Sequence, residues 1–180
     1  MPQNISPNIH ELTLLALLSR IKRTELEERM IHRRMGRIEN WHRFYELAQL
    51  NRYAAFVYKN LKAMGLEHHV ADDVSELFEK NIKNIETVNQ NRLDEAKVFL
   101  KEFSERGIEV VILKGIYFAE TFYNDPYYKR MNDFDILIHK KDLPEVLKVF
   151  SELGYFSTGE LLGKSAQEHD QFSHHLPLFL

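Results

Sequence analysis

Two aspartates one residue apart, Asp133 and Asp135, stand at the head of the apolar run Phe134-Asp135-Ile136-Leu137-Ile138. If that run is a strand, alternation turns both carboxylates to one face and Phe134, Ile136 and Ile138 toward the core. Two like charges so placed repel and lose hydration, which is costly unless a cation neutralises them. An all-oxygen donor set favours Mg²⁺ or Mn²⁺, ions that bridge carboxylates to phosphate oxygens. Three nearby residues suit the phosphate. Lys114-Gly115 ends an apolar run and opens a helical segment whose free N–H groups and positive dipole end can hold an anion. Gly115 allows close approach of a ligand to the backbone. Arg130, three residues before Asp133, adds a planar fork for phosphate oxygens. The competing reading is a solvated Asp-x-Asp loop with Arg130 as its salt-bridge partner; the strand context favours the cation, because a carboxylate pair leading into an apolar strand has few structural uses.

The elements that must position these residues follow from periodicity. Ile108 to Leu113 is a short β-branched apolar run after Gly107 and predicts a buried strand. A helix is expected from Gly115 to about Tyr123, closed by Asn124-Asp125-Pro126. Phe134 to His139 predicts the next strand. Asp142, with Glu145 at the capping-box position, predicts a helix carrying Leu143, Val146, Leu147 and Phe150 on one face and stopping at Gly154. Upstream the register is helical. Asn8 and Glu11 are spaced as a capping box ahead of Leu12, Leu15, Ala16 and Leu18. Trp41, Phe44, Tyr45 and Ala48 form another face, and Gly65 offers a left-handed stop. Neither Gly nor Pro interrupts the chain between Gly65 and Gly107, which permits one very long helix or two abutting ones. Its apolar positions, Val74, Leu77, Phe78, Ile82, Ile85, Leu93, Ala96, Leu100 and Phe103, step by threes and fours. The fold expected is α/β (α+β). A helical N-terminal region over 1–106 precedes a strand–helix–strand–helix core over 107–180 with a small mixed sheet.

Composition narrows the function classes. The chain has 180 residues with 24 Lys plus Arg against 27 Asp plus Glu, a net charge of 24 − 27 = −3. So small a charge argues against a globally basic nucleic-acid coat. Cysteine is absent, which removes disulfides, thiolate nucleophiles, Cys-ligated zinc and iron–sulfur clusters. No apolar run approaches the ~18 residues of a membrane span. No secretory leader is read at Met1-Pro2-Gln3-Asn4, and a cytoplasmic location is expected. His169, His174 and His175, with Asp170, are metal-competent types, but adjacent histidines point apart and a solvated loop is the simpler reading. The basic stretch from Lys22 through Arg23, Arg29, Arg33 and Arg34 to Arg37 is interrupted by Glu25, Glu27 and Glu28; mixed helical charge is favoured over an RNA-contacting face. Tyr117, Tyr123, Tyr127 and Tyr128 cluster around the candidate site, where stacking on a base and packing between elements are equally compatible with the sequence.

The segments Leu113-Lys114-Gly115, Arg130 with Asp133-Phe134-Asp135-Ile136-Leu137-Ile138, and Leu153-Gly154-Tyr155 resemble the uncharacterised-nucleotidyltransferase family of the polymerase-β-like nucleotidyltransferase superfamily. Trp41 to Ala48 resembles that family's helical N-terminal region, and His174-His175-Leu176-Pro177 a segment ahead of its third core strand. The resemblance implies transfer of a nucleoside monophosphate from an NTP to an acceptor hydroxyl by two-metal in-line displacement. It implies Asp133 and Asp135 as metal ligands, with Lys114, Gly115 and Arg130 at the triphosphate. It leaves the acceptor open between small molecule, protein and RNA. Two departures stand out. The superfamily's Gly-Ser turn is Lys-Gly here, so a serine contact to phosphate is missing. A third carboxylate on a later strand is not found before Leu180. A fragment of a longer protein is the favoured expectation, and this chain alone is expected to be a weak or dead catalyst; fast turnover by it would mean a substitute carboxylate, with Glu160 or Glu168 the first to mutate. The alternatives are a nucleotidyltransferase-type toxin acting on RNA and a catalytically dead nucleotide- or protein-binding module.

Overall fold

The computed structural model describes residues 8–123, 125–157 and 178–179. Every described element before Gly107 is helical: α1 (Ile9–Leu18), α2 (Glu25–Met35), α3 (Trp41–Leu50), α4 (Ala54–Ala63) and α5 (Asp72–Glu105), with one 3-10 turn at Glu67–His69. The uninterrupted stretch between the two glycines is a single helix of 34 residues. Strand β1 (Val110–Leu113) follows, then α6 (Lys114–Phe118), which widens into a π turn over Ala119–Tyr123. Strand β2 (Asp135–Ile138), helix α7 (Leu143–Glu152) and the short strands β3 (Phe156–Ser157) and β4 (Leu178–Phe179) complete the order. Gly65, Gly107 and Gly154 all take left-handed φ (67°, 66° and 89°) where helices α4, α5 and α7 stop, as glycine stop signals should. Both described strand pairs, β1–β2 and β3–β4, are antiparallel; the mixed sheet expected from the sequence is not seen among the described residues.

The chain divides into two compact units, residues 1–92 with 114–133, and residues 93–113 with 134–180. The first is built from α1–α4, the N-terminal part of α5, and α6 with the loop after it. Helix α1 opens with the reciprocal capping box: Glu11 N–H donates to Asn8 Oδ1 at 2.9 Å, and Asn8 N–H to Glu11 Oε2 at 3.1 Å. Glu11 is buried, and the guanidinium of Arg43 forks onto both of its oxygens at 3.1 and 2.5 Å. That pairing keeps a buried carboxylate from standing uncompensated. Thr24 and Glu27 form a second capping box on α2 that sequence reading passes over. The core of this unit centres on Phe78, which stacks on Tyr58 and meets Tyr45 edge-on, both at 4.9 Å between centroids.

The second unit carries β1, β2 and α7. Its centre is aromatic: Phe99 lies 5.5 Å from Phe150 and 5.1 Å from Phe134, and Phe103 meets Phe150 at 5.5 Å. Asp142 precedes α7 but makes no side-chain cap. The expected capping partner Glu145 instead takes a bond from Arg106 at 2.8 Å, and the same guanidinium reaches Glu152 at 2.5 Å and Glu102 at 3.3 Å. An arginine with three carboxylates in reach outbids a backbone N–H for Glu145, since charge-assisted bonds are the stronger kind. Those pairs hold the Arg106 pKa above its ordinary value and the Glu145 pKa below it.

Candidate functional site

In the second unit, β1 and β2 pair in the register Val110–Ile138, Val111–Leu137, Ile112–Ile136 and Leu113–Asp135. Asp135 is therefore the first residue of β2, half-buried, opposite the last residue of β1. Cross-strand partners share a face, so Asp135 lies with Val111, Leu113 and Leu137 on a side of the sheet where those residues stay 55%, 38% and 58% exposed. The other face, with Ile112, Ile136 and Ile138, is half-buried, and Phe134 packs edge-on to Phe99. The expected alternation holds for Asp135. Asp133 lies two residues before the strand begins, in irregular backbone, and is exposed. The ladder starts two residues too late to include it. Covalent geometry still limits the Asp133 and Asp135 Cα atoms to ~7 Å apart. No described side chain or backbone group bonds to the Asp133 carboxylate.

In the first unit, α6 begins at Lys114, the residue directly after β1. Lys114 has φ of +47°, a left-handed conformation that costs a residue with a Cβ roughly 1–2 kcal/mol. The chain passes from strand to helix with no connecting loop, and the strain falls on a lysine rather than on the glycine that follows. Gly115 has an ordinary φ; a Cβ built there would meet Met131 Cγ at 3.4 Å. A Cβ would thus make only van der Waals contact with buried Met131, so neither the backbone conformation nor crowding demands a glycine at 115. Helix α6 has only five residues before the π turn, too short for a substantial dipole. An anion at this point would be held by side chains rather than by a helix dipole.

The loop after α6 is held by two helices of the same unit. Lys59 on α4 donates to Asp125 Oδ2 at 2.7 Å, and Asp125 Oδ1 accepts from Tyr127 N–H at 2.8 Å. The Lys59 ammonium also lies 5.6 and 5.1 Å from the ring centroids of Tyr127 and Tyr128. On α5, Gln90 accepts from the Tyr127 hydroxyl at 2.9 Å. Fully buried Asn89 donates through Nδ2 to Pro126 O and, at 2.8 Å, to Lys129 O, while its Oδ1 accepts from Met131 N–H at 2.8 Å. Arg130 sits between the last two contacts with its side chain exposed. Tyr123 and Tyr128 pack on Phe56 at 5.4 and 4.8 Å, and burial raises both of their pKa values. They are packing residues. Tyr117 stays 52% exposed on α6, beside Phe118.

The sequence-predicted residues are thus distributed: Lys114, Gly115, Arg130 and Asp133 belong to the first unit and Asp135 to the second. Two carboxylates with hard oxygen donors fit a hydrated Mg²⁺ or Mn²⁺ that takes its other ligands from phosphate and water. No group of three metal-ligating side chains occurs among the described residues. His169, Asp170, His174, His175, Glu160 and Glu168 lie outside the described residues. In the basic stretch, Arg20 pairs with Glu27 and Arg29 with Glu25, whereas Lys22, Arg33, Arg34 and Arg37 have no acidic partner among the described residues. No described helix is long and apolar enough to cross a membrane. A family model described as an uncharacterised nucleotidyltransferase matches residues 38–179. Neither the curated proteins nor the solved structures gave a match.

Proposed function

The chain belongs to the uncharacterised nucleotidyltransferase family, and from that premise we propose the residues and the chemistry by which it acts. Nucleotidyltransfer with an NTP as substrate is the family's activity. In the proposed reaction the acceptor hydroxyl oxygen bonds to the α-phosphorus of the NTP. The bond to the bridging oxygen breaks, pyrophosphate leaves, and the hydroxyl proton passes to solvent or a nearby base. Asp133 and Asp135 hold Mg²⁺ or Mn²⁺ through their carboxylates. Bound there, such ions stabilise the charge on the attacking and leaving oxygens. Lys114 contributes a point charge and Arg130 a planar fork toward the triphosphate.

The observation that carries this reading is Lys114. A strained non-glycine conformation, held directly after the β1 residue that pairs with Asp135, is the kind of local cost that persists at functional sites. It supports the reading that the Lys-Gly turn here does the work that a Gly-Ser turn does elsewhere in the superfamily, with a lysine ammonium replacing a serine hydroxyl at phosphate. The test is Mg-NTP binding and pyrophosphate release with Lys114→Ala, Arg130→Ala and Asp133→Asn. All three are expected to weaken nucleotide binding, and Asp133→Asn to abolish its dependence on Mg²⁺. Binding unaffected by all three would refute the assignment.

A second reading takes RNA as the acceptor. It is favoured by the run Arg29 to Arg37, which holds four arginines and no acidic residue, three of them, Arg29, Arg33 and Arg37, exposed on α2 and the turn after it. Phosphodiester contacts of that kind give a steep salt dependence, so RNA binding that does not weaken with salt would exclude it.

A further inference from the structure

We propose that Asn89, in the middle of α5, is a positioning residue for the nucleotide site, fixing the Pro126–Met131 loop so that Arg130 is presented to the triphosphate. The inference rests on the reading of Arg130 above and adds a residue to it. Residues 126–134 form neither helix nor strand, so their backbone groups need partners from elsewhere when buried. Asn89 supplies three of them from one fully buried side chain: Pro126 O, Lys129 O and Met131 N–H. Those partners leave one orientation of the amide, with NH₂ toward the two carbonyls and the oxygen toward the N–H. An aspartate would face carbonyls with a carboxylate, and an apolar residue would satisfy none of the three.

The contacts bracket Arg130. The carbonyl before it and the N–H after it are both tied to the same amide, while the Arg130 side chain remains exposed and Met131 is buried. The Met131 anchor also fixes the residue that packs on Gly115, at the start of α6. One side chain on a long helix therefore sets the backbone on which Arg130 sits and, through Met131, the residue that lies against Gly115.

The same unit contains a natural control. Asn60 on α4 is buried like Asn89 and likewise donates through Nδ2 to two backbone carbonyls, Leu18 O at 2.7 Å and Arg20 O at 3.1 Å. Its side-chain hydrogen bonds go to the end of α1 and the segment after it, and not to the Pro126–Met131 loop. Asn89→Ala and Asn60→Ala should both lower thermal stability. Only Asn89→Ala should weaken binding of Mg-ATP or Mg-GTP, by ~10–100-fold, the range that losing an outer-shell partner costs at a metal site. It should also accelerate amide hydrogen exchange at Met131 and its neighbours. Binding is measured by calorimetry on the full chain at a temperature where each variant is folded by circular dichroism. In an Arg130→Ala background, Asn89→Ala should have little further effect. Unchanged nucleotide affinity in Asn89→Ala, an equal loss in Asn60→Ala, or unaltered exchange at Met131 would overturn the assignment. Should Asn89→Ala weaken binding while Arg130→Ala does not, Asn89 does not act through Arg130 and the assignment falls, whereas weakening by Arg130→Ala with no effect of Asn89→Ala overturns the positioning role and leaves Arg130 in the proposed site. Should Asn89→Ala fail to fold, Asn89→Ser, which keeps a small polar group, carries the same test.

Discussion

The strain at Lys114 makes a prediction whose sign is opposite to ordinary helix behaviour. In a normal helix interior, glycine is less stable than alanine by ~1 kcal/mol. Lys114 begins α6 with φ of +47°, where a Cβ costs roughly 1–2 kcal/mol and glycine costs nothing for that reason. Against this, glycine has a more disordered unfolded state than alanine, worth about 0.4–1 kcal/mol. The balance favours glycine by about 0.5–1 kcal/mol near the middle of these ranges. Lys114→Gly and Lys114→Ala both lose every side-chain contact of the lysine, so their difference isolates the backbone. For a chain of this size, Lys114→Gly should melt ~1–4 °C above Lys114→Ala, followed by circular dichroism and checked by urea midpoint. Both should bind Mg-NTP equally weakly, since both lack the ammonium. Alanine as stable as glycine, or more so, would remove the strain; equal stability ordering with full nucleotide binding would remove the lysine from the site.

Three further outcomes follow from the packing and the charges. Phe78→Ala, which empties the stacked position between Tyr58 and Tyr45, should cost ~3–5 kcal/mol in urea unfolding. Gly115→Ala should be tolerated, because flexible Met131 can yield to a Cβ first touching it at 3.4 Å; Gly115→Val should cost ~1–3 kcal/mol by overpacking, both read from urea midpoints. Arg106→Ala should lower the melting temperature at neutral pH, with the deficit shrinking in acid. Arg106 holds the Glu145 pKa below its usual 4.5, so the stabilisation is present above the unfolded value and is lost as pH falls through the lower folded one. A deficit that is the same at pH 7 and at pH 3 would contradict that assignment.

Much of this arrangement was legible in the sequence because it depends on local chemistry. The Asn8–Glu11 box, the glycine stops at 65, 107 and 154, and the two β-branched runs each announce themselves within a few residues. The limits arose where tertiary contacts overrule local signals. Glu145 has capping-box spacing, yet Arg106 lies far away in sequence and claims its carboxylate. Gly115 looks like a ligand-approach glycine, and what lies against it here is Met131, at van der Waals distance from where a Cβ would stand. Asp133 reads as a strand residue by alternation, but the register that starts the ladder at Leu113–Asp135 is set by pairing. Asn89 did leave a signal. Buried positions on α5 run 74, 78, 82, 85, 89, 96, 99 and 103, and Asn89 falls on that stripe four residues after Ile85. A polar residue at an apolar position of a long helix calls for a buried partner, and here the partner is a loop carrying candidate site residues.

The central claim is that Asp133, with Asp135, holds the divalent ion through which this nucleotidyltransferase engages its NTP. Calorimetric titration of the full chain with ATP and GTP, with and without Mg²⁺, beside Asp133→Asn, tests it most directly. Asp133 is exposed and bonds to no described group, so its substitution should leave the melting temperature unchanged, which separates chemistry from folding. The account predicts Mg²⁺-dependent nucleotide binding in the wild type and loss of that dependence in Asp133→Asn. Equal, Mg²⁺-independent binding in both proteins, or Mg²⁺-dependent binding that survives the substitution, would contradict it.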